Sequence, residues 1–325
     1  MTLQDTTRTA SRNGELPVAA PPTTHPHTPP GGTSYYGHPI IKEPTWSWEI
    51  PVYFVTGGIS GLSSGLSLAA RLSGNHELAR RAQLAAMATI APAPVLLISD
   101  LGYPKRFYNM LRLVKPSSPM SIGSWVMTAA SGTTAVSTLS MLTGRAPWLG
   151  RLAGTAAALL GLPLSTYTAV LITNTSVPIW HEARHHMPYV FSASSSAGAG
   201  ALSTLLTPHA ASGPARRLAM LGAVLEVASS QLMDRHLGGL AEPLHTGRVG
   251  RQSLAAKLLT GAGAAMIGTL GRRSATVARV GAGLMLAGVS FTRWSIFRAG
   301  FASARDPRYT VDPQRRRREA GSPAA

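Results

Sequence analysis

Four groups of residues carry chemistry-capable side chains in places where an apolar chain would not put them by chance. The first is "DLGYPKRFYNMLRLVKPSSPMSIGSW", Asp100 to Trp125, set between two apolar runs. It spreads Lys105, Arg106, Arg112 and Lys115 among Tyr103, Phe107 and Tyr108, and stiffens the backbone with Pro104, Pro116 and Pro119. Proline fixes φ, so such a loop is shaped before it meets a partner and loses less freedom on docking. A basic, aromatic, preshaped surface suits the docking of a soluble protein. The second is Glu226 in "LGAVLEVASSQLMD", with Ser229 and Ser230 on its face at i+3 and i+4. Near the middle of a span it is either a proton-handling carboxylate or a protonated Glu hydrogen-bonded between helices. The third is Tyr167, Asn174 and His181, seven apart in "GLPLSTYTAVLITNTSVPIWHEARHHMP", which falls close to one helical stripe. Phenol, amide and imidazole together match the oxygens of a quinone headgroup, or serve as interhelical hydrogen bonds. The fourth is "GHPIIKEPTWSWEIPVYF", combining His38, Trp46, Trp48 and Glu49. The tryptophans fit an interfacial belt, whereas a carboxylate at a span's start is less expected.

These groups need elements to hold them, and composition says which. Of 325 residues 45% are hydrophobic and only 13% charged, well below the usual quarter. The blocks Ile50–Ala70, Pro116–Gly144, Leu152–Trp180 and Met187–Ala215 contain no Asp, Glu, Lys or Arg. Runs of about eighteen or more such residues cross the hydrocarbon layer as helix. We therefore expect an all-α, polytopic integral membrane protein of about eight spans, arranged as two four-helix bundles. The expected spans are about 50–71, 82–99, 121–143, 152–178, 187–207, 216–233, 253–271 and 276–297. Residues 1–45 form a polar, disordered tail without the apolar region of a signal peptide, 46–297 the membrane domain, and 298–325 a basic tail containing Arg315–Arg318. Glycine, alanine and serine in "GGISGLSSG" and "GAGLMLAG" allow close helix approach where water supplies no hydrophobic drive.

The net charge of +17 punctuates the apolar spans rather than forming a soluble surface, which points to topology and anionic lipid, not nucleic acid. An even number of spans puts both termini on one face with the Asp100 loop. Loop charges are nearly equal on the two faces, and the basic C-terminal tail tips the termini toward the cytoplasm. Without cysteine, the chain holds no disulfide, iron–sulfur cluster or covalently attached haem. Its ten histidines lie in tails or between spans, which leaves no axial pair for a transmembrane haem. "HEARHH" has the composition of a metal cluster but not the spacing, and we expect no metal.

The Asp100–Trp125 segment resembles, nearly residue for residue, the signature of the polysulfide reductase/NrfD family of membrane subunits, with Tyr103 where Arg is usual and Lys105 where an acid is usual. "TYTAVLITNTSVPIWHEARHHMPYVF" and "WSWEIPVYFVTGGISG" resemble the family's fourth span and first span, and the likeness extends over roughly residues 34–300. It implies a haem-free subunit that binds menaquinone or ubiquinone near one membrane face. It implies electron exchange with a four-cluster ferredoxin-like iron–sulfur subunit, which serves a molybdopterin or tungstopterin catalytic subunit. The membrane would be the bacterial cytoplasmic membrane. Family quinone contacts fall on His38 and Tyr167, with Asn174, Trp46 and Trp48 nearby and Asp100, Glu49 and Glu226 passing protons. Several family members carry their catalytic subunits outside the membrane, whereas the tail charges favour a cytoplasmic docking face. The alternative is a proton- or ion-translocating subunit or transporter without quinone chemistry, for which Pro92, Pro94 and Pro163 supply the helix breaks.

Overall fold

A computed structural model describes residues 39–101, 103–112, 114–319 and 321, without the side chains of 316–319. The described residues form thirteen α-helices: α1 (Glu49–Leu72), α2 (His76–Ile90), α3 (Pro92–Ser99), α4 (Phe107–Arg112), α5 (Pro119–Thr143), α6 (Pro147–Thr173), α7 (Pro178–Glu182), α8 (Met187–Leu206), α9 (Gly213–Leu237), α10 (Glu242–His245), α11 (Gly247–Gly268), α12 (Ala275–Arg305) and α13 (Arg308–Glu319). Helices α2 and α3 run on as one rod through Ala91, with Pro92 at the joint because proline lacks the N–H that would continue the ladder. Eight rods are thus long enough to span a membrane: α1, α2–α3, α5, α6, α8, α9, α11 and α12. Four of them, Glu49–Leu72, His76–Asp100, Pro147–Thr173 and Ala275–Arg305, are also strongly apolar throughout.

The rods pack as two rings of four. Neighbours in the first ring are α1 with α2, α2 with α5, α5 with α6 and α6 with α1; in the second they are α8 with α9, α9 with α11, α11 with α12 and α12 with α8. Helix α8 joins the rings by packing on α1 and α6. The expected pair of four-helix bundles is what forms. Its surface is turned inside out relative to a water-soluble protein. Leu139, Leu159, Leu162, Val224, Leu254 and Leu258 face outward, while the interior is rich in Ala, Gly, Ser and Thr. Small interior residues bring the backbones together: a Cβ on Gly61 would lie 2.4 Å from the Gly161 carbonyl oxygen, and one on Gly161 would lie 2.2 Å from that of Gly61. That crossing of α1 and α6 admits no side chain larger than hydrogen.

Contacts between chain-distant segments define the two faces. On one, Ser47 meets Asp100, Trp46 stacks on Trp180, Arg305 pairs with Glu43 at 2.8 Å and Tyr309 reaches Glu242. On the other, Arg71 bonds Thr155, Asn75 donates to the Ala211 carbonyl, and Arg216 donates to the Gly271 carbonyl. Glu49, Asp100, α4 and the C-terminal end of α12 therefore share a face, as an even number of spans requires.

Several expected boundaries shift, and three of these bear on the site. The second rod starts at His76, since the Asn75 side chain accepts from the Leu78 N–H and caps it. The fourth ends at Thr173, and a new short helix begins at Pro178. The eighth continues to Arg305, well past residue 297.

Candidate functional site

Asp100 closes the α2–α3 rod, and Glu49 opens α1 beside it. Between them stands Ser47. Its hydroxyl lies 2.8 Å from Asp100 Oδ1 and also within bonding distance of Glu49 Oε2, while its backbone N–H donates to the same Asp100 oxygen at 3.1 Å. A serine hydroxyl has one proton to donate. With two carboxylates in reach, it donates to one or the other. Two residues singled out separately in the sequence thus meet, and the residue that joins them, Ser47, is one that sequence reasoning passed over.

The signature segment folds as a lip. After Asp100 the chain turns through Pro104–Arg106 into α4, then returns to α5 at Pro119. The apolar side of α4 leans back over α3 and α5, leaving a cleft of about 210 Å³. Leu97, Leu101, Phe107, Met110, Leu111 and Met127 line it. Two hydroxyls on its α5 wall, Ser124 and Thr128, are taken up by their own helix carbonyls at 2.9 and 2.8 Å, whereas the buried Ser131 hydroxyl has no partner. Lys105 and Arg106 are exposed, so the lip presents its charges outward.

Behind this wall sits Tyr167. A Cβ on Gly123 would fall 1.8 Å from its ring, so the glycine of "SIGSW" exists to admit the tyrosine of "STYTAV". The fully buried Tyr53 hydroxyl faces that of Tyr167 without closing a well-formed hydrogen bond. Two phenols one helix apart thus lie in the core of the first bundle. Tyr53 was not singled out from the sequence, where "PVYFV" reads as ordinary apolar filling.

The Tyr167–Asn174–His181 stripe does not survive as one surface, because α6 stops at Thr173. Asn174 is its exposed C-cap, and with His181 it lines an open pocket of about 500 Å³ on the membrane face, walled by Ile41, Glu182 and Tyr309. Burial and the nearby Glu242 carboxylate push the Tyr309 phenol up to about 12. Close by, the His186 and His236 rings lie 4.6 Å apart, and burial first, then the facing imidazole, holds His186 below the usual histidine range.

The two tryptophans part company. Trp46 stacks on Trp180 at 5.8 Å, whereas Trp48 is 59% exposed, as an interfacial belt residue would be. Trp180, which the sequence reading left aside, is fully buried, donates to the Ile296 carbonyl at 2.9 Å and packs flat against Gly300. It locks the loop before α8 onto the end of α12. His38 lies outside the described residues.

Glu226 belongs to a different place altogether. It is buried in the second bundle, where Thr292 of α12 donates to its Oε1 at 2.6 Å; Ser229 bonds backbone carbonyls instead. Next to Thr292, Arg293 is 1% exposed and donates to the Phe191 carbonyl and the Ser195 hydroxyl. Sequence reasoning missed Arg293. It went unremarked near the expected span end at residue 297; the helix runs to Arg305 and carries it inside.

No curated protein matches the chain. A profile of the family described as polysulfide reductase matches residues 32–303, which takes in every described rod and the whole lip. By that match and by its two bundles of membrane-spanning helices, the chain belongs to the polysulfide reductase (NrfD) family and is a multi-pass membrane subunit of the polysulfide reductase type.

Proposed function

We propose that this chain is the haem-free, quinone-reactive subunit of a multisubunit oxidoreductase. It exchanges electrons between menaquinone or ubiquinone and a four-cluster ferredoxin-like iron–sulfur subunit, which serves a molybdopterin or tungstopterin catalytic subunit. The observation that carries the reading is the apolar cleft beneath the Asp100–Trp125 lip, with Tyr167 directly behind its wall. An apolar slot with few polar groups is the ordinary form of a small-molecule site. The residues fit a quinone: the walls match its ring and tail, the Ser131 hydroxyl is buried and unpartnered, and Tyr53 and Tyr167 hold phenols within the same bundle.

A bound quinone supplies the two-electron, two-proton couple. The protein's part is to hold and supply protons. Tyr167, behind the wall at Gly123, would hold a carbonyl oxygen through its O–H, and Tyr53 would sustain its orientation. Asp100 and Glu49, linked through Ser47, store a proton at the membrane face and pass it inward. His38 adds a second donor before the first span. Trp46 and Asn174 shape the face beside the lip, and Trp48 anchors it to lipid headgroups. The exposed cations and aromatics of the lip dock the iron–sulfur partner, which keeps the electron's path short without a haem.

Titration of the purified chain with a short-chain quinone, read by quenching of tryptophan fluorescence, tests this. Saturable binding is expected, and Tyr167→Phe weakens it by roughly tenfold, the loss of one hydrogen bond. Quenching that never saturates, or that Tyr167→Phe leaves unchanged, contradicts the proposal.

A further inference from the structure

The second bundle buries two charges that quinone chemistry in the first bundle does not use. Glu226 is 4% exposed and Arg293 is 1% exposed. Glu226 Oε2, Arg293 Nε and Arg293 Nη1 close no well-formed hydrogen bond, although the Ser194 hydroxyl of α8 and the Arg293 charge both face the carboxyl. The guanidinium lies 3.7 Å over the Phe191 ring and is tied to α8 through Phe191 and Ser195. Polar groups stranded at such depth are costly unless something solvates them. What could do so lies alongside. A narrow cleft of about 30 Å³ runs between α9, α11 and α12 from Glu226, past Ser230, Ser253 and Thr260, to Asp234 and Lys257. That is space for about one water, which needs two to four polar neighbours. Glu226 Oε2 and the unpartnered Thr260 hydroxyl supply two.

The mouth is charged. Asp234 stands between Lys257 Nζ at 3.3 Å and His245 Nε2 at 3.5 Å, all three partly exposed. It lies on α9 two turns beyond Glu226, about 12 Å along the axis. Asp234 and His245 belong to the same membrane face as the Asp100 lip. In the other direction Arg293 stands between Glu226 and the first bundle, where its Nη2 comes within 3.5 Å of where a Cβ on Gly58 would be.

We propose that this cleft is a one-sided water access through which Glu226 exchanges protons with the face bearing Asp234, and that Arg293 closes its inner end. The inference goes beyond the quinone reading and stands whether or not that reading does. A hydrated proton in the cleft forms an O–H bond at Glu226 Oε2 and leaves neutral water behind; the reverse step returns it, and nothing else is consumed. Asp234, His245 and Lys257 relay or repel protons at the mouth.

The chain contains no cysteine, so single introduced thiols are reported without background. In membrane vesicles of defined orientation, Ser253→Cys and Thr260→Cys are challenged with silver ion, a thiol reagent close to water in size, with Ser203→Cys, fully buried on α8, as reference. Both cleft thiols are expected to react more than about tenfold faster than the reference, and only from the Asp234 side, since reaction rate follows access and thiolate fraction. Rates equal to the reference, or reaction from the opposite side, overturn the access. Infrared spectroscopy of the purified chain then reads the carboxyl: a protonated-acid band that titrates with pH, shifts in heavy water and vanishes in Glu226→Gln is expected. Labelled thiols with no such band overturn the assignment of the proton to Glu226.

Discussion

Gly123→Ala is the smallest change that reaches Tyr167 without touching it. The new methyl would sit 1.8 Å from Cε2, 2.1 Å from Cζ and 2.5 Å from the hydroxyl oxygen of Tyr167, where ordinary contact begins at 3.4 Å. About 1.6 Å must be found, and Tyr167 has little room to yield because it is 8% exposed with Tyr53 beyond it. Overpacking of this kind costs about 1–3 kcal/mol of stability. Its effect on chemistry is of similar size, because a displacement of about 1 Å in a positioned group costs on the order of 10²-fold in rate, about 2.7 kcal/mol. The assay is quinone-linked turnover of the complex isolated with its partners, alongside a thermal melt, for Gly123→Ala, Tyr167→Phe and the double variant. We expect turnover to fall on the order of 10²-fold in Gly123→Ala with the fold retained. In a Tyr167→Phe background the same glycine change adds much less, since its target oxygen is already gone; the shortfall is the coupling. Wild-type turnover in Gly123→Ala, or strict additivity of the two changes, refutes the reasoning.

Other outcomes follow from the same geometry. Gly161→Ala drives a methyl into the Gly61 backbone rather than a side chain, so it destabilises more than Gly123→Ala and lowers the yield of folded protein in detergent, measured by size exclusion. Trp180→Phe removes the indole bond to the Ile296 carbonyl, which stays bonded within its own helix, and costs about 0.5–1.5 kcal/mol in chemical denaturation. Ser47→Ala breaks the link between Asp100 and Glu49 and moves the pH profile of quinone turnover while leaving the melt within about 1 kcal/mol. The Glu43 carboxyl is held below its usual value by the hydrogen bond and charge of Arg305. A depressed carboxylate stabilises above its unfolded pKa and loses that contribution as pH falls through the folded one. Both groups are well exposed, so melts of wild type and Arg305→Gln differ by less than about 1 kcal/mol at neutral pH and converge in acid.

The fold was legible because lipid imposes a simple rule: long uncharged runs become spans, and small residues mark where they touch. What the runs did not reveal were the ends. Asn75, Pro178 and the extension to Arg305 are set by capping, by proline and by packing against the lip-side loops, none of which hydropathy reads. The site was legible in part. Asp100, Glu49 and Tyr167 stood out by type and place, and the first two do meet. Asn174 was assigned to the stripe on the assumption of a continuous helix, and the break after Thr173 sends it to the surface. Ser47, Tyr53 and Gly123 matter through partners far away in sequence, which no local pattern encodes. Arg293 went unnoticed because its depth depends on α12 running eight residues past the expected end at 297.

The central claim is that quinone meets the protein beneath the Asp100–Trp125 lip. Photoaffinity labelling with an azidoquinone, followed by peptide mapping of the full chain, tests it most directly. The account predicts label on α3, α4 or α5 between Leu97 and Ser131, suppressed by excess unlabelled quinone and reduced in Tyr167→Phe. Label that competes away but maps to α9, α11 or α12 would contradict it.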